Sequence, residues 1–513
     1  MSDVIESTIC RIGEYSKHGI AWIGADNPKN NYGGGVNMAF RDIRQFIEGL
    51  DKTGDLVRVK QEVDWDMEAG AIARRNYEML GPAVFFEKIK DYPEGYRIFS
   101  GGIANYRRVA IAMGLDPNTP VKDIFDEYER REEHPVKPIV VDDGPCKENI
   151  ITGDDIDLYS LPAPMIHDGD GGRYIGSWHI IVSQDPDTGW TNWGMYRHMV
   201  HNQRSLAAFP LPHSHLAVIL RKKYLPAGKP MPVALVTGAE PLTTLAASAT
   251  IRMGEDEVDY AGAIRQEAVE LVKCETNDLM VPATAEIVIE GELEPDRCVP
   301  EGPFGEYSGY RSVGVNLRPL FRVTAITHRT SPILTMCAVG VPADENQTAW
   351  VLSQSLGIKR RLKARGLPVI DVFMTTEGTG FILAVSVETG GREVAEQIGA
   401  ALTSRRAGIS KILVVDRDTD VFNLSDVAHA FATKCHPGRG IIIINTDGKS
   451  NPAFPAYSSE ERRGLLGATA VFDCTWPSEW PKDEVPVKSA FAHIYSRELQ
   501  EHVLNNWKNY GFK

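Results

Sequence analysis

A change of texture along the chain constrains the fold more than any other feature. Between residues 146 and about 345, apolar residues come in short β-branched and aromatic runs (178–183, 217–220, 232–236, 285–290, 320–327, 333–339) broken by Gly and Pro. Runs of that kind predict the strands of a barrel or sandwich. On either side the pattern reverts to helices alternating with strands. Helical spacing at 38–50 leads into alternation at 55–60, and later a helix at 348–365 leads into strands at 369–374 and 381–387. A further helix at 393–405, a strand at 411–415, a helix at 424–433 and a buried strand at 440–445 follow. A chain of 513 residues exceeds one hydrophobic core. The expected class is α+β: an extension at 1–36, an α/β unit at 37–145, an all-β unit at 146–345, an α/β unit at 346–480 and a terminal helical segment at 481–513. That last segment carries apolar residues at helical spacing over 489–509 and is expected to pack across a subunit interface.

Charge and cysteine usage exclude several functions. The 55 Lys and Arg against 69 Asp and Glu leave −14, a field that repels phosphate backbones and anionic lipid heads, so neither nucleic acid nor membrane is an expected partner. The start, Met1-Ser-Asp-Val-Ile-Glu6, lacks the basic and apolar regions of a secretory signal, and a cytoplasmic protein is expected. Seven cysteines without a Cys-x-x-Cys pair suggest reduced thiols rather than a zinc ribbon or a disulfide framework.

Two constellations carry candidate chemistry. In Pro300-Glu-Gly-Pro-Phe-Gly-Glu306, Gly302, Pro303 and Gly305 redirect the backbone, so Glu301 and Glu306 leave it at set angles. Paired carboxylates suit acid/base work, whereas a solvated turn is the bland alternative. The second is Thr191-Asn-Trp-Gly-Met-Tyr-Arg197, with His215 and Glu257 beyond it. An amide oxygen, an imidazole and a carboxylate suit Mn²⁺ or Mg²⁺ better than zinc, and ordinary barrel polar residues are the alternative there. Asp168-Gly-Asp-Gly-Gly-Arg-Tyr174 lacks the dinucleotide fingerprint and reads as a turn. His167, His198, His201 and His213 read as structural, and Lys359-Arg-Arg-Leu-Lys-Ala-Arg365 as a solvated helix face.

Taken in order, Gly144-Pro-Cys-Lys-Glu-Asn149, Leu161-Pro-Ala-Pro-Met-Ile-His167, Thr191-Asn-Trp with Arg197, Leu271-Val-Lys-Cys-Glu-Thr-Asn-Asp-Leu279, Val281-Pro-Ala-Thr-Ala-Glu-Ile287, the Pro300–Glu306 turn and Phe431-Ala-Thr-Lys-Cys-His-Pro437 resemble the UbiD family of prenylated-FMN (de)carboxylases, including ferulic acid decarboxylases. The resemblance runs over roughly 38–513. It implies a central flavin-reductase-like split barrel, a C-terminal α/β oligomerisation domain and a homodimer or homohexamer. It implies prenylated FMN contacted by Asn192, Gly194, Met195, Tyr196, Arg197, Ser214, His215, Ser248, Glu257 and Arg406, the last standing where relatives have Lys. Asn192, His215 and Glu257 would hold Mn²⁺ or Mg²⁺ at the cofactor phosphate, and Trp193, Ala246, Ala247, Ala249 and Lys434 a K⁺, mainly through carbonyls. Arg197, Glu301 and Glu306 match the catalytic network: Arg197 orients the substrate carboxylate and pairs with Glu301, while Glu306, expected to be the more desolvated acid, donates the proton.

By the same resemblance the partners are a small carboxylic acid, CO₂ and a UbiX-type flavin prenyltransferase that supplies the cofactor. Departures bear on substrate. Ser214 replaces a Gln and Tyr307 a Met of ferulic-type enzymes, and Tyr307 with Phe209 suggests a pocket for a flat aromatic or heteroaromatic acid. Cys337 and Phe472 are further candidates for the cleft. A decarboxylase of cinnamic-type acids and a non-catalytic flavin-binding subunit of a carboxylase complex are the rival readings.

Overall fold

The computed structural model describes residues 39–512 except 313, 405–407 and 482; the extension at 1–36 and Arg406 lie outside the described residues. The chain forms a mixed α+β structure around a large curled sheet.

The first helix, Ile43–Thr53, shows how local signals become packing. Asp42 caps it by accepting from the Gln45 N–H at 2.9 Å, and Gly54 ends it in the left-handed region at φ 75°. Ile43, Phe46, Ile47 and Leu50 fall on one face and are buried. They cover a four-stranded sheet ordered Leu56–Val63, Ala83–Ile89, Arg97–Ser100 and Ile333–Met336. The last strand, more than two hundred residues downstream, ties the N-terminal unit to the central one by parallel pairing with Arg97–Ser100.

The central sheet has nine strands. Its spine is the antiparallel pair Ile287–Glu301 and Asn316–His328, whose register shifts between Leu293 and Cys298 before the strands continue to the Glu301–Asn316 pairing. Thr191–Gly194 lies at one edge beside Ile180–Gln184, and His198–Asn202 pairs with Ser205–Ala208. The chain between Thr191–Gly194 and His198–Asn202 holds Arg197. The run at 217–220 is helical rather than extended, because Ser214 accepts from the Ala217 N–H at 3.3 Å and starts a helix at His215–Ile219. A four-residue apolar run does not distinguish the two states by periodicity.

The C-terminal sheet runs Val369–Met374, Ile382–Val387, Lys411–Asp416, Ala468–Cys474 and Ile441–Asn445. Its last strand is an edge, so Ile441 and Ile443 are exposed rather than buried. The helix Glu345–Lys363 docks on the N-terminal unit, where Lys359 reaches Glu129 at 3.0 Å and Arg360 reaches Glu132 at 2.7 Å, while Lys359 also pairs with Asp371 of the C-terminal sheet at 3.2 Å. The basic run read as a solvated face is therefore partly an interface, and Lys359 is buried. The terminal segment is broken into Phe491–Ile494, Arg497–Asn505 and a short turn at Trp507–Tyr510, because Ser496 caps a new helix. Ile494, Leu499, Leu504 and Trp507 are exposed. Among the described residues no helix is long and apolar enough to cross a membrane.

Burial also sets an acid sensitivity. His198 is inaccessible, and burial pushes its imidazole down to about 4. Between that value and the ordinary one near 6.5 the unfolded chain binds the extra proton, so stability is complete above about 6.5 and is lost as pH falls toward 4. The expected loss is about 3 kcal/mol. Melting should therefore fall between pH 7 and pH 5, with a shallower fall in His198→Gln; equal slopes in the two proteins would count against this assignment.

Candidate active site

Two segments bring Arg197, Glu301 and Glu306 together, the chain just before the strand His198–Asn202 and the turn Pro300–Glu306. Arg197 Nε lies 2.7 Å from Glu301 Oε1 and Nη2 3.0 Å from Oε2, a two-pronged pair, while Nη1 lies 2.5 Å from Glu306 Oε1. Burial works against the Arg197 charge, yet its hydrogen bonds to both carboxylates and their negative charge hold it above the ordinary guanidinium range. Glu301 closes the long strand, and its side chain is inaccessible. Its Oε1 also accepts from Tyr174 Oη at 2.9 Å.

Gly302 sits at φ 83°, a conformation that favours glycine, and turns the chain toward Glu306. The Glu306 side chain is 28% exposed, against 0% for Glu301. Glu306 is thus the less desolvated acid, the reverse of the expectation, because it stands on the turn while Glu301 closes a sheet strand.

Asp170, which the sequence left unassigned, and His167, read there as structural, hold this turn. Asp170 Oδ2 lies 2.9 Å from His167 Nδ1, and Asp170 Oδ1 accepts from the Gly305 N–H at 3.0 Å. A Cβ on Gly305 would meet the His167 ring at 2.6 Å, so the imidazole packs flush on the glycine. The Asp168–Arg173 segment, read as a plain turn, is the brace behind the acid pair; its sequence signal was Asp170 among glycines. Phe304 packs on Tyr174 with centroids 4.3 Å apart and lies 5.0 Å from the Arg197 guanidinium carbon. That carbon is 4.2 Å from the centroid of Phe209, and Arg318 approaches the same ring at 4.0 Å.

The second constellation starts on the edge strand Thr191–Gly194. Asn192 is buried, and its amide donates to Ser183 Oγ at 3.2 Å across the strand pair. Glu257 opens the helix Glu257–Arg265 and accepts from the Trp193 N–H at 2.8 Å. His215, behind its Ser214 cap, places Nδ1 3.9 Å from Glu257 Oε1. Burial pushes the Glu257 carboxyl up to about 8 and the His215 imidazole down. Two ligand-type groups thus share a buried corner, where His215 is the nearest cationic-type partner of Glu257 among the described residues. A dication beside Asn192, His215 and Glu257 would compensate the buried carboxylate, so the donor set fits such an ion. Among the described residues no group of three or more His, Cys, Asp and Glu forms a metal cluster; this set has only two of those types.

Gly194, Met195 and Tyr196 run from that corner to Arg197. The Tyr196 carbonyl accepts from His179 Nε2 at 2.8 Å and His198 Nδ1 at 2.5 Å, which fixes the peptide before the arginine. Ala246 ends the helix Pro241–Ala246, and Ala247, Ser248 and Ala249 follow it, with Ser248 Oγ donating to the Leu245 carbonyl at 2.7 Å. Lys434 belongs to the C-terminal unit, where its ammonium pairs with Asp416 at 2.9 Å and Asp418 at 2.7 Å. Tyr307 packs on Trp350 and Phe381 at 5.7 and 6.0 Å, and Phe209 and Phe304 supply aromatic surface at Arg197. Cys337 is buried in the core, and Phe472 packs on Phe431 in the C-terminal sheet.

Comparison with known families places most of the chain in three matched domains. Residues 138–342 match the 3-octaprenyl-4-hydroxybenzoate carboxy-lyase Rift-related domain, 47–128 its N-terminal domain and 347–474 its C-terminal domain. The class defined is that of carboxy-lyases. The chain belongs to the UbiD family. It is 33% identical to the pyrrole-2-carboxylic acid decarboxylase of Pseudomonas aeruginosa, over 93% of this chain and 99% of that one. It is also 33% identical to ferulic acid decarboxylase 1 of Saccharomyces cerevisiae, over 92% and 98%. The UbiD-class enzyme HmfF from Pelotomaculum thermopropionicum, solved with FMN, superimposes with a TM-score of 0.78 at 32% identity, covering 88% of this chain and 97% of that one. An evolved dimeric form of HmfF, solved with prFMN, gives 0.74 at 30% identity over 87% and 97%.

Proposed function

We propose that this protein is a reversible, non-oxidative decarboxylase of an aromatic or heteroaromatic carboxylic acid that uses prenylated FMN. The observation that carries this reading is the convergence of Glu301 and Glu306, from the two ends of one turn, on the guanidinium of Arg197 from a separate segment. Loss of CO₂ from an sp² carbon leaves an electron pair in the molecular plane, without resonance help. The prenylated flavin supplies the sink for that pair.

The chain's own residues do the rest. Arg197 keeps its two-pronged bond to Glu301 and exchanges its Glu306 contact for the substrate carboxylate, which orients the scissile bond. Glu306, released from the guanidinium, carries a proton to the carbon that lost CO₂ and is recharged from its solvent side. The balance is one carboxylate and one proton in, one C–H and one CO₂ out; abundant CO₂ drives the reverse. Glu301, bonded also to Tyr174, keeps Arg197 charged and in place.

Asn192, His215 and Glu257 would hold Mn²⁺ or Mg²⁺ against the cofactor phosphate, with Gly194, Met195, Tyr196, Ser214 and Ser248 along its length. Arg406 belongs to the same proposal. The carbonyl end of the helix Pro241–Ala246 favours a cation, which supports K⁺ near Ala246, Ala247, Ala249 and Trp193, with Lys434 offering only its carbonyl. The curled central sheet supports a flavin-reductase-like split barrel. Exposed apolar residues of the terminal helix support assembly as a homodimer or homohexamer, and a UbiX-type prenyltransferase would supply the cofactor.

Metal content tests the anchor. Glu257→Ala should cost about tenfold or more in bound Mn²⁺, read by elemental analysis, and flavin absorbance should fall with it. Full metal and flavin retention would contradict the assignment. Headspace CO₂ from pyrrole, furan, indole and benzene carboxylates tests the substrate class. The relative named for ferulic acid makes cinnamate the competing arm; release from cinnamate alone would overturn the aromatic reading. No release from flavin-loaded protein with any acid would favour the non-catalytic subunit.

A further inference from the structure

We propose that Arg318 selects for an anionic substrate by supplying the positive charge that Arg197, offset by Glu301, does not have to spare. The inference rests on the decarboxylase reading and deepens it.

Arg318 lies on the strand Asn316–His328, opposite Val299 and two positions from the partner of Glu301. Its Nε is 4.0 Å from Glu301 Oε2, and its guanidinium carbon is 4.0 Å from the Phe209 centroid, on the ring that Arg197 also touches. That Nε is buried and has no hydrogen-bond partner, while the side chain as a whole is 29% exposed. The side chain is thus held in place by the ring and by charge, with donor capacity unused.

Charge counting gives this position its purpose. With both glutamates ionised, Arg197 and Arg318 against Glu301 and Glu306 sum to zero. Protonation of Glu306, required before it can donate, leaves one net positive charge, and one substrate carboxylate restores neutrality. Without Arg318 the loaded site would hold a net negative charge in a partly buried cleft, which disfavours the carboxylate but not the neutral product. Arg318 therefore favours substrate over product and helps product leave.

The test uses holoenzyme with pyrrole-2-carboxylate and pyrrole as probes, titrated calorimetrically into wild type, R318K and R318Q. R318Q should weaken the carboxylate about tenfold or more and leave pyrrole unchanged. R318K should stay within about threefold, since it keeps the charge and loses only the planar fork. Where the acid is turned over, KM should rise in R318Q with kcat nearly constant. Equal weakening of both probes, an unaffected carboxylate, or a carboxylate that wild type does not bind would overturn the proposal. Should R318Q fail to fold, a salt series on wild type and R318K decides: carboxylate affinity should fall with ionic strength and pyrrole affinity should not, and a flat carboxylate response refutes the role. Carboxylate binding that depends on Arg318 without CO₂ release from any acid sinks only the decarboxylase reading. CO₂ release with an indifferent R318Q sinks only this one.

Discussion

Glu306→Gln should abolish CO₂ release, by at least about a hundredfold, while the protein keeps its fold and its bound flavin. A positioned general acid contributes about 10²–10⁴ in rate. The amide nearly preserves the shape of the carboxyl and can still face Arg197 Nη1, now 2.5 Å from Glu306 Oε1, but it has no proton to give. The side chain is partly exposed, so the substitution leaves no buried charge unpaired. Melting temperature and flavin absorbance should therefore match wild type. Turnover within a few-fold of wild type would remove Glu306 from the role of proton donor.

Arg197→Met should lose both activity and stability, and the second loss identifies the first as electrostatic. Glu301 has an inaccessible side chain; without Arg197 it keeps the Tyr174 hydroxyl and Arg318 at 4.0 Å. Breaking a buried pair from one side costs about 3–5 kcal/mol. Combining Arg197→Met with Glu301→Gln removes the stranded charge and should recover most of that stability without recovering turnover. Denaturant melts of the three variants measure the recovery. A single variant as stable as wild type, or a double variant that decarboxylates, would contradict this account. Arg197→Lys should be intermediate in stability, because an ammonium restores charge but not the paired prongs.

Much of the site was legible in sequence because its residues lie in short local motifs. Glu301 and Glu306 share one glycine- and proline-rich turn, and Asn192 and Arg197 sit five positions apart, so chemistry and spacing were visible together. The supports were not. Asp170 reaches Gly305 across 135 residues, and Tyr174 reaches Glu301 across 127, so no local pattern announces either contact. Relative burial of the two acids came out reversed, because it depends on which one closes a sheet strand and which stands on a turn. Adjacency to Glu306 in sequence likewise does not reveal that the Tyr307 ring packs on Trp350 and Phe381. The texture change at about 146 signalled the central sheet, but not that Ile333–Met336 leaves the β-rich stretch to complete the N-terminal sheet. The exposed Ile443 shows the same limit, since an apolar run does not reveal whether its strand lies inside a sheet or at the edge.

Deuterium labelling tests the central claim most directly. Flavin-loaded protein, made alongside a flavin prenyltransferase, is given an aromatic acid in D₂O, and released CO₂ is counted against label in the product. The account predicts one CO₂ for each product molecule, with a single deuterium at the carbon that bore the carboxylate. Product formed without that deuterium, or no CO₂ from protein shown by mass to carry prenylated FMN, would contradict it.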